Sequence, residues 1–144
     1  MRGRGWRVAT LTAAALTVCA VAAVAAPTNG DWQGGQNSDD KPDVDFSVAK
    51  TGGKQKVSDF TLRNVGFSCR GGGGGGIRAA VTTVKPKIKN DAFEIDQTID
   101  DDRMQVKGTF TSKTKSKGTV KWTSDDGESH CTTGKLDWRA NLQQ

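Results

Sequence analysis

From Val44 onward the chain alternates apolar and polar residues with a period of two, and clusters of turn residues interrupt the pattern. Val44, Phe46 and Val48 fall on one side of an extended segment, with Asp45 and Ser47 on the other. Thr51-Gly52-Gly53-Lys54 reads as a turn, after which Phe60 and Leu62 open the next strand. Ile77 to Val84 is rich in β-branched residues. Phe93 and Ile95 alternate with Glu94 and Asp96, and Asp100-Asp101-Asp102 ends that run. Met104, Val106 and Phe110 share a face with Gly108; Val120 and Trp122 share one with Gly118; Leu136, Trp138 and Ala140 form the last. Strand-length segments at roughly 8–12-residue spacing predict a sandwich or barrel. No segment has a helical period, and the strong helix formers Ala, Leu and Glu are scarce beyond residue 26. The expected fold is all-β: a single β-sandwich or flattened barrel of about 8–9 short antiparallel strands.

Two local patterns refine this expectation. Lys107-Gly108-Thr109-Phe110 is echoed by Lys117-Gly118-Thr119-Val120, with the polar stretch Lys113-Thr114-Lys115-Ser116 between them. This predicts a hairpin whose arms carry glycine where bulk does not fit, at a barrel bend or beneath a large aromatic ring. The run Gly71 to Gly76 satisfies any glycine-rich phosphate-loop search trivially. A phosphate loop needs Gly-Lys-Ser/Thr opening a helix, whereas Ile77-Arg78 follows here. The run is expected to be a flexible surface loop.

The first 26 residues belong to a different regime. Arg2, Arg4 and Arg7 precede an uncharged Ala/Val-rich stretch from Val8 to Ala26, which closes on small residues before Pro27. That is the layout of a secretory signal peptide cleaved after Ala25 or Ala26. The alternatives are an uncleaved anchor, for which the stretch is barely long enough, and a lipoprotein cysteine at Cys19, where Val18 fits poorly. The expected organisation is residues 1–26 as signal peptide, 27–43 as a flexible N-terminal segment able to hold a first strand, and 44–144 as the β-sandwich domain.

Export changes the charge and cysteine arguments. The whole chain carries 21 cations and 16 anions, a net +5. Three cations and no anions lie in the leader, so the mature balance falls to about +2 and the case for a nucleic-acid partner weakens. Cys19 leaves with the leader, and Cys69 and Cys131 remain as an even pair in an oxidising compartment, where a disulfide is expected. Closing that loop stabilises the fold by roughly 4 kcal/mol. The rival reading is a reactive Cys131 thiol activated by His130.

Candidate binding chemistry is sparse. Lys85, Lys87 and Lys89 alternate around Pro86 and Ile88 and share one face of an extended segment. Proline cannot donate to a ladder, so an edge strand is expected, with lysines guarding it against pairing; the functional alternative is contact with an anionic polymer. Lys113, Lys115 and Lys117 sit similarly at the hairpin tip. An exposed Trp32, Trp122 or Trp138 would offer a sugar a stacking platform, although alternation turns the latter two inward and core packing is the favoured reading for Trp32 as well. The acidic runs lack EF-hand spacing, and one histidine cannot anchor a zinc site by itself. No nucleophile elbow accompanies His130.

Gly30-Asp31-Trp32-Gln33-Gly34, Cys69 before glycines, the Gly108-Thr109-Phe110 and Gly118-Thr119-Val120 hairpin, and the closing Cys131-Thr132-Thr133-Gly134-Lys135-Leu136-Asp137-Trp138-Arg139-Ala140 together resemble a family of small exported proteins of Gram-positive, chiefly actinobacterial, bacteria. Its pattern opens on Gly-x-aromatic-x-Gly and closes on Cys-x-x-Gly-x-x-x-Trp-x-Ala. The resemblance implies an all-β domain with a Cys–Cys bond and carries over no activity or catalytic residue.

The resulting expectation is a secreted, monomeric, non-catalytic binding or interaction module at the bacterial cell envelope. Its disulfide joins Cys69 and Cys131, and its candidate ligand contacts are Trp32, Lys85, Lys87 and Lys89. The expected partner is a cell-wall glycan or an anionic envelope polymer, with no nucleic acid, no membrane contact after cleavage, no metal and no cofactor. The competing class is a secreted hydrolase or enzyme inhibitor.

Overall fold

A computed structural model describes residues 26–35 and 43–144. Residues 1–25, which hold nearly all of the expected leader, and residues 36–42, with Asp39-Asp40, lie outside the described residues. Eight strands follow in chain order: β1 (Gly30–Gly34), β2 (Asp43–Thr51), β3 (Lys54–Cys69), β4 (Gly74–Val81), β5 (Ala92–Ile99), β6 (Asp102–Phe110), β7 (Lys115–Asp125) and β8 (His130–Leu142). They form one antiparallel sheet in the order β4-β3-β2-β1-β8-β7-β6-β5. The first strand expected in the N-terminal segment is β1, and it pairs with both β2 and β8.

The all-β fold is thus the one the chain adopts, and the sheet curls on itself. β2 and β5 are far apart in the sheet order, yet Phe46 and Phe93 bring their ring centroids to 5.7 Å. Trp32 of β1 meets Phe110 of β6 at 5.1 Å, and Phe60 of β3 meets Trp138 of β8 at 5.6 Å. These six rings fill the middle of a flattened barrel, each removing roughly 150–250 Å² from water. Val44, Val48, Val57, Leu62, Val106 and Val120 complete the inner lining.

Curling this tightly requires long strands to bend, and β3 shows how. Its inward residues change parity twice: Val57, then Phe60 and Leu62, then Val65. Each change falls at a left-handed residue, Asp59 with φ 55° and Asn64 with φ 53°, and Asp and Asn tolerate that conformation better than other side-chain-bearing residues. At the first, Asp45 pairs Thr61 and Ser47 pairs Ser58, so two β3 residues oppose Phe46 in a bulge. Past Arg63 the strand leaves β2, and its end pairs directly with β8, Ser68 against Thr132 and Cys69 against Cys131. β8 has its own bulge where Trp122 pairs Gly134 but Thr123 pairs Thr132. The bypassed Thr133 accepts the Trp122 N–H with its hydroxyl at 3.0 Å.

The echoed glycines lie side by side. Phe93 pairs Gly108, Gly108 pairs Gly118, and Gly118 pairs Trp138, giving one row across four strands. The Phe93 ring covers Gly108, and a β-carbon at Gly118 would stand 2.6 Å from Trp138 Cζ2. At Gly108 the covering ring is the operative reason; at Gly118 the Lys107 carbonyl of the neighbouring strand stands closer still than the indole, so close backbone approach and the ring act together.

The glycine run corrects one expectation. Only Gly71 to Gly73 form a turn, all with positive φ. Gly74, Gly75 and Gly76 belong to β4 and pair with Ser68, Phe67 and Gly66. The Phe67 ring lies over Gly75, where a β-carbon would come within 2.8 Å of Cζ, so the hairpin register and that ring hold the glycines extended. Beside the turn, the Cys69–Cys131 disulfide joins residues 62 apart in sequence with a Cα–Cα distance of 4.0 Å. The Arg70 N–H continues the β3–β8 pairing by donating to the His130 carbonyl at 2.8 Å.

Two measurements test this account. Gly108→Ala and Gly118→Ala should each lower the unfolding free energy by roughly 1–3 kcal/mol in urea titrations, because the core is already full. Gly66→Ala, whose added carbon would meet only a carbonyl at 3.8 Å, should be neutral or stabilising by roughly 0.4–1 kcal/mol; equal losses at all three positions would contradict the ring-over-glycine row. Replacing both cysteines by serine should cost about 4 kcal/mol, read from the same titrations.

Candidate functional site

The sequence-predicted contacts separate once placed. Trp32 is fully buried, stacked on Phe46 at 5.8 Å with planes 9° apart. It is a core residue and presents no ring face to a ligand, which corrects its candidacy; the cause is that β1 sits between β2 and β8 and turns its indole inward. Trp122 and Trp138 are buried as well, so none of these three indoles is an outer platform. Lys85, Lys87 and Lys89 are exposed around half-buried Pro86 and Ile88. Their segment lies on the β3 backbone: the Val57 N–H donates to the Pro86 carbonyl and the Ile88 N–H to that of Gln55, both at 3.0 Å.

A larger cationic surface emerges from β6, β7 and β8. Alternation turns Lys117, Thr119 and Lys121 of β7 outward, with Lys135, Asp137 and Arg139 of β8 beside them. The register sets Lys117 opposite Arg139 and Lys121 opposite Lys135, with Thr119 opposite Asp137 between the two pairs. Lys107 of β6 adjoins Thr119 and pairs with Glu94 at 3.2 Å. Among the described residues, Lys117, Lys121, Lys135 and Arg139 form no ion pair. A depression of about 540 Å³ is lined by Lys107, Lys117, Lys135 and Arg139, with Gly118, Thr119 and Asp137 between them. Like charges placed directly opposite on adjacent strands repel, and with Asp137 and Glu94 as its anions this face keeps an excess of positive charge.

Sequence reasoning found Lys117 only as part of the hairpin tip. Following the alternation to Lys121 extends the row, but aligning it with Lys135 and Arg139 needs the β7–β8 register, which the Thr133 bulge hides from simple counting.

The remaining titratable groups are arranged structurally. Cys131 is bonded to Cys69, which removes the thiol that His130 would have activated. His130 Nδ1 lies 3.3 Å from an Asp125 carboxylate oxygen on an exposed turn. The Asp126 carboxylate accepts the Ser129 N–H at 2.6 Å and the Glu128 N–H at 3.0 Å, which holds its pKa below the ordinary aspartate value. Asp96 is lowered too, first by its hydrogen bonds from Arg103 at 2.7 and 2.6 Å. Among the described residues no group of three His, Cys, Asp or Glu side chains is placed to hold a metal ion.

Both carboxyls have folded pKa values below their unfolded ones. The stability that their ionised forms lend is therefore present at neutral pH and lost as pH falls through the lowered folded values. A carboxyl ¹³C NMR titration should find Asp96 and Asp126 protonating at lower pH than aspartate in an unstructured peptide; midpoints at or above that reference would refute the hydrogen bonds.

Comparison with known proteins assigns this arrangement to no group: no family model matches the chain, and no curated protein or solved structure matches it.

Proposed function

We propose that this domain is a secreted, non-catalytic binding module that holds an anionic polymer of the bacterial cell envelope against the outer face of β6, β7 and β8. The observation that carries the reading is the pair of like-charge oppositions, Lys117 with Arg139 and Lys121 with Lys135. Each costs the isolated domain a few tenths of a kcal/mol, and a polyanion laid across the strands turns that cost into attraction. The two pairs lie four residues apart, about 13 Å along the strands, a spacing that suits a repeating charge better than a single small anion. The leader, the resemblance to small exported proteins and the disulfide support an extracellular setting.

The mature domain should bind a defined polyanion such as inorganic polyphosphate, with affinity falling steeply as salt rises. Lys121→Glu with Arg139→Glu should weaken binding by about tenfold or more, in line with the loss of two or more charge contacts of up to ~1 kcal/mol each. The same double variant should unfold at equal or higher urea concentration, because it converts two repulsions into attractions. Reversal of Lys85, Lys87 and Lys89 should matter less; binding abolished by that triple variant and untouched by the double one would overturn the assignment to this face.

A further inference from the structure

The sheet order leaves β4 and β5 at its two ends. Curling brings these ends near each other, yet they do not pair. One side chain ties β5 to the segment that follows β4: Gln97 accepts the Thr83 N–H at 2.8 Å and the Val84 N–H at 3.3 Å through Oε1, and donates from Nε2 to Thr83 Oγ1 at 2.7 Å. Beyond that bridge the seam opens into a cleft of about 440 Å³ between Ala79–Thr82 on one wall and Ile99–Asp102 on the other. That volume falls in the range of ligand-binding clefts, ~300–1,000 Å³.

The walls combine three features that burial in the fold does not explain. Val81 and Ile99 are 48% and 46% exposed, among the few large apolar residues left in water among the described residues. Asp100, Asp101, Asp102 and Asp126 line the same cleft. Thr82, only 2% exposed, also lines it, and its hydroxyl oxygen is buried without a hydrogen-bond partner. Buried polar atoms are normally satisfied, and this one belongs to a residue that borders the cleft.

The backbone supplies the fourth feature. Among the described residues β4 pairs only with β3, so on its other side alternate N–H and C=O groups face outward. Natural edges are usually blunted by charges, proline or bulges. β4 has a single charge, Arg78, with no proline and no bulge, and its first three residues are glycine. The lysines that guard an edge sit elsewhere, on the Gln55–Val57 segment of β3.

We propose that this seam is a second binding site, which takes an extended peptide bearing lysine or arginine as an added strand on the free edge of β4. Backbone pairing with β4 supplies the affinity, as in strand-addition recognition generally. Val81, Ile99 and Met104 receive an apolar side chain, and the four aspartates receive the flanking cations. The site is independent of the cationic face, and its ligand carries the opposite charge.

The probe is an acetylated and amidated hexapeptide of alternating valine and lysine, titrated into the ¹⁵N-labelled mature domain. Binding should shift the amides of Ala79 to Thr82 and Ile99 to Asp102 and slow hydrogen exchange along β4. Asp101→Asn with Asp102→Asn should weaken it by about tenfold, the scale of two exposed charge contacts, and Val81→Asp should weaken it further by removing the apolar wall. A peptide with glutamate in place of lysine should not bind. A peptide N-methylated at alternate residues, which lacks strand donors, should lose most of its affinity. Equal binding by the methylated peptide would reduce the effect to charge attraction and sink the proposal, as would shifts confined to other surfaces or no binding at millimolar peptide.

Discussion

Six aromatic rings drawn from six of the eight strands have to meet in the middle of a single sheet, and most other features of the fold answer that demand. A chain with only 34% apolar residues has few large side chains to spend on its core. Packing Trp32, Phe46, Phe60, Phe93, Phe110 and Trp138 around one point makes each ring serve several neighbours, with centroid distances from 5.1 to 6.4 Å. A flat sheet cannot do this. β3 must turn at Asp59 and Asn64, β8 must bulge at Thr133, and Gly108 and Gly118 must lack side chains so that Phe93 and Trp138 can lie across them. The disulfide then closes the corner where β3 has outrun β2 and reached β8.

How much of this was legible depends on how local its cause is. Strands β5 to β8 follow from alternation because each keeps one parity through its central part, and the glycine echo marks Gly108 and Gly118 as places where bulk does not fit, at a bend or beneath a ring. The course of β3 was not legible beyond its first apolar residues. Its inward set changes parity twice, so a period-two reading breaks it into fragments. β4 was missed in part because three of its residues are glycines, which have no side-chain pattern to read; their extension is imposed by pairing with β3. Trp32 shows the same limit, since only the placement of β1 between β2 and β8 decides whether its ring is a platform or a keystone of the core.

The candidate site illustrates a second kind of illegibility. Net charge, about +2 if residues 1–26 are the cleaved leader that we propose, suggests a nearly balanced surface. The structure separates that balance into a cationic face on β6 to β8 and an acidic cleft at the β4–β5 seam. Each contains residues distant in sequence, brought together by strand register across β7 and β8 in the first case and by the curl of the sheet in the second. The binding chemistry that we propose lies in such juxtapositions, and composition averages them away.

The core also explains why a covalent clasp suits this domain. The indole nitrogens of Trp32 and Trp138 are buried without hydrogen-bond partners, and each such donor costs about 1–3 kcal/mol. Roughly 4 kcal/mol from closing the Cys69–Cys131 loop is of the same size. The rings that allow so small a core to form are therefore the same groups whose polar edges burden it, and the disulfide offsets that burden at the corner where β3 meets β8. Under the export that we propose, the compartment that permits the bond is also the one in which the aromatic core can be sustained, so the leader, the cysteines and the tryptophans form one physical argument.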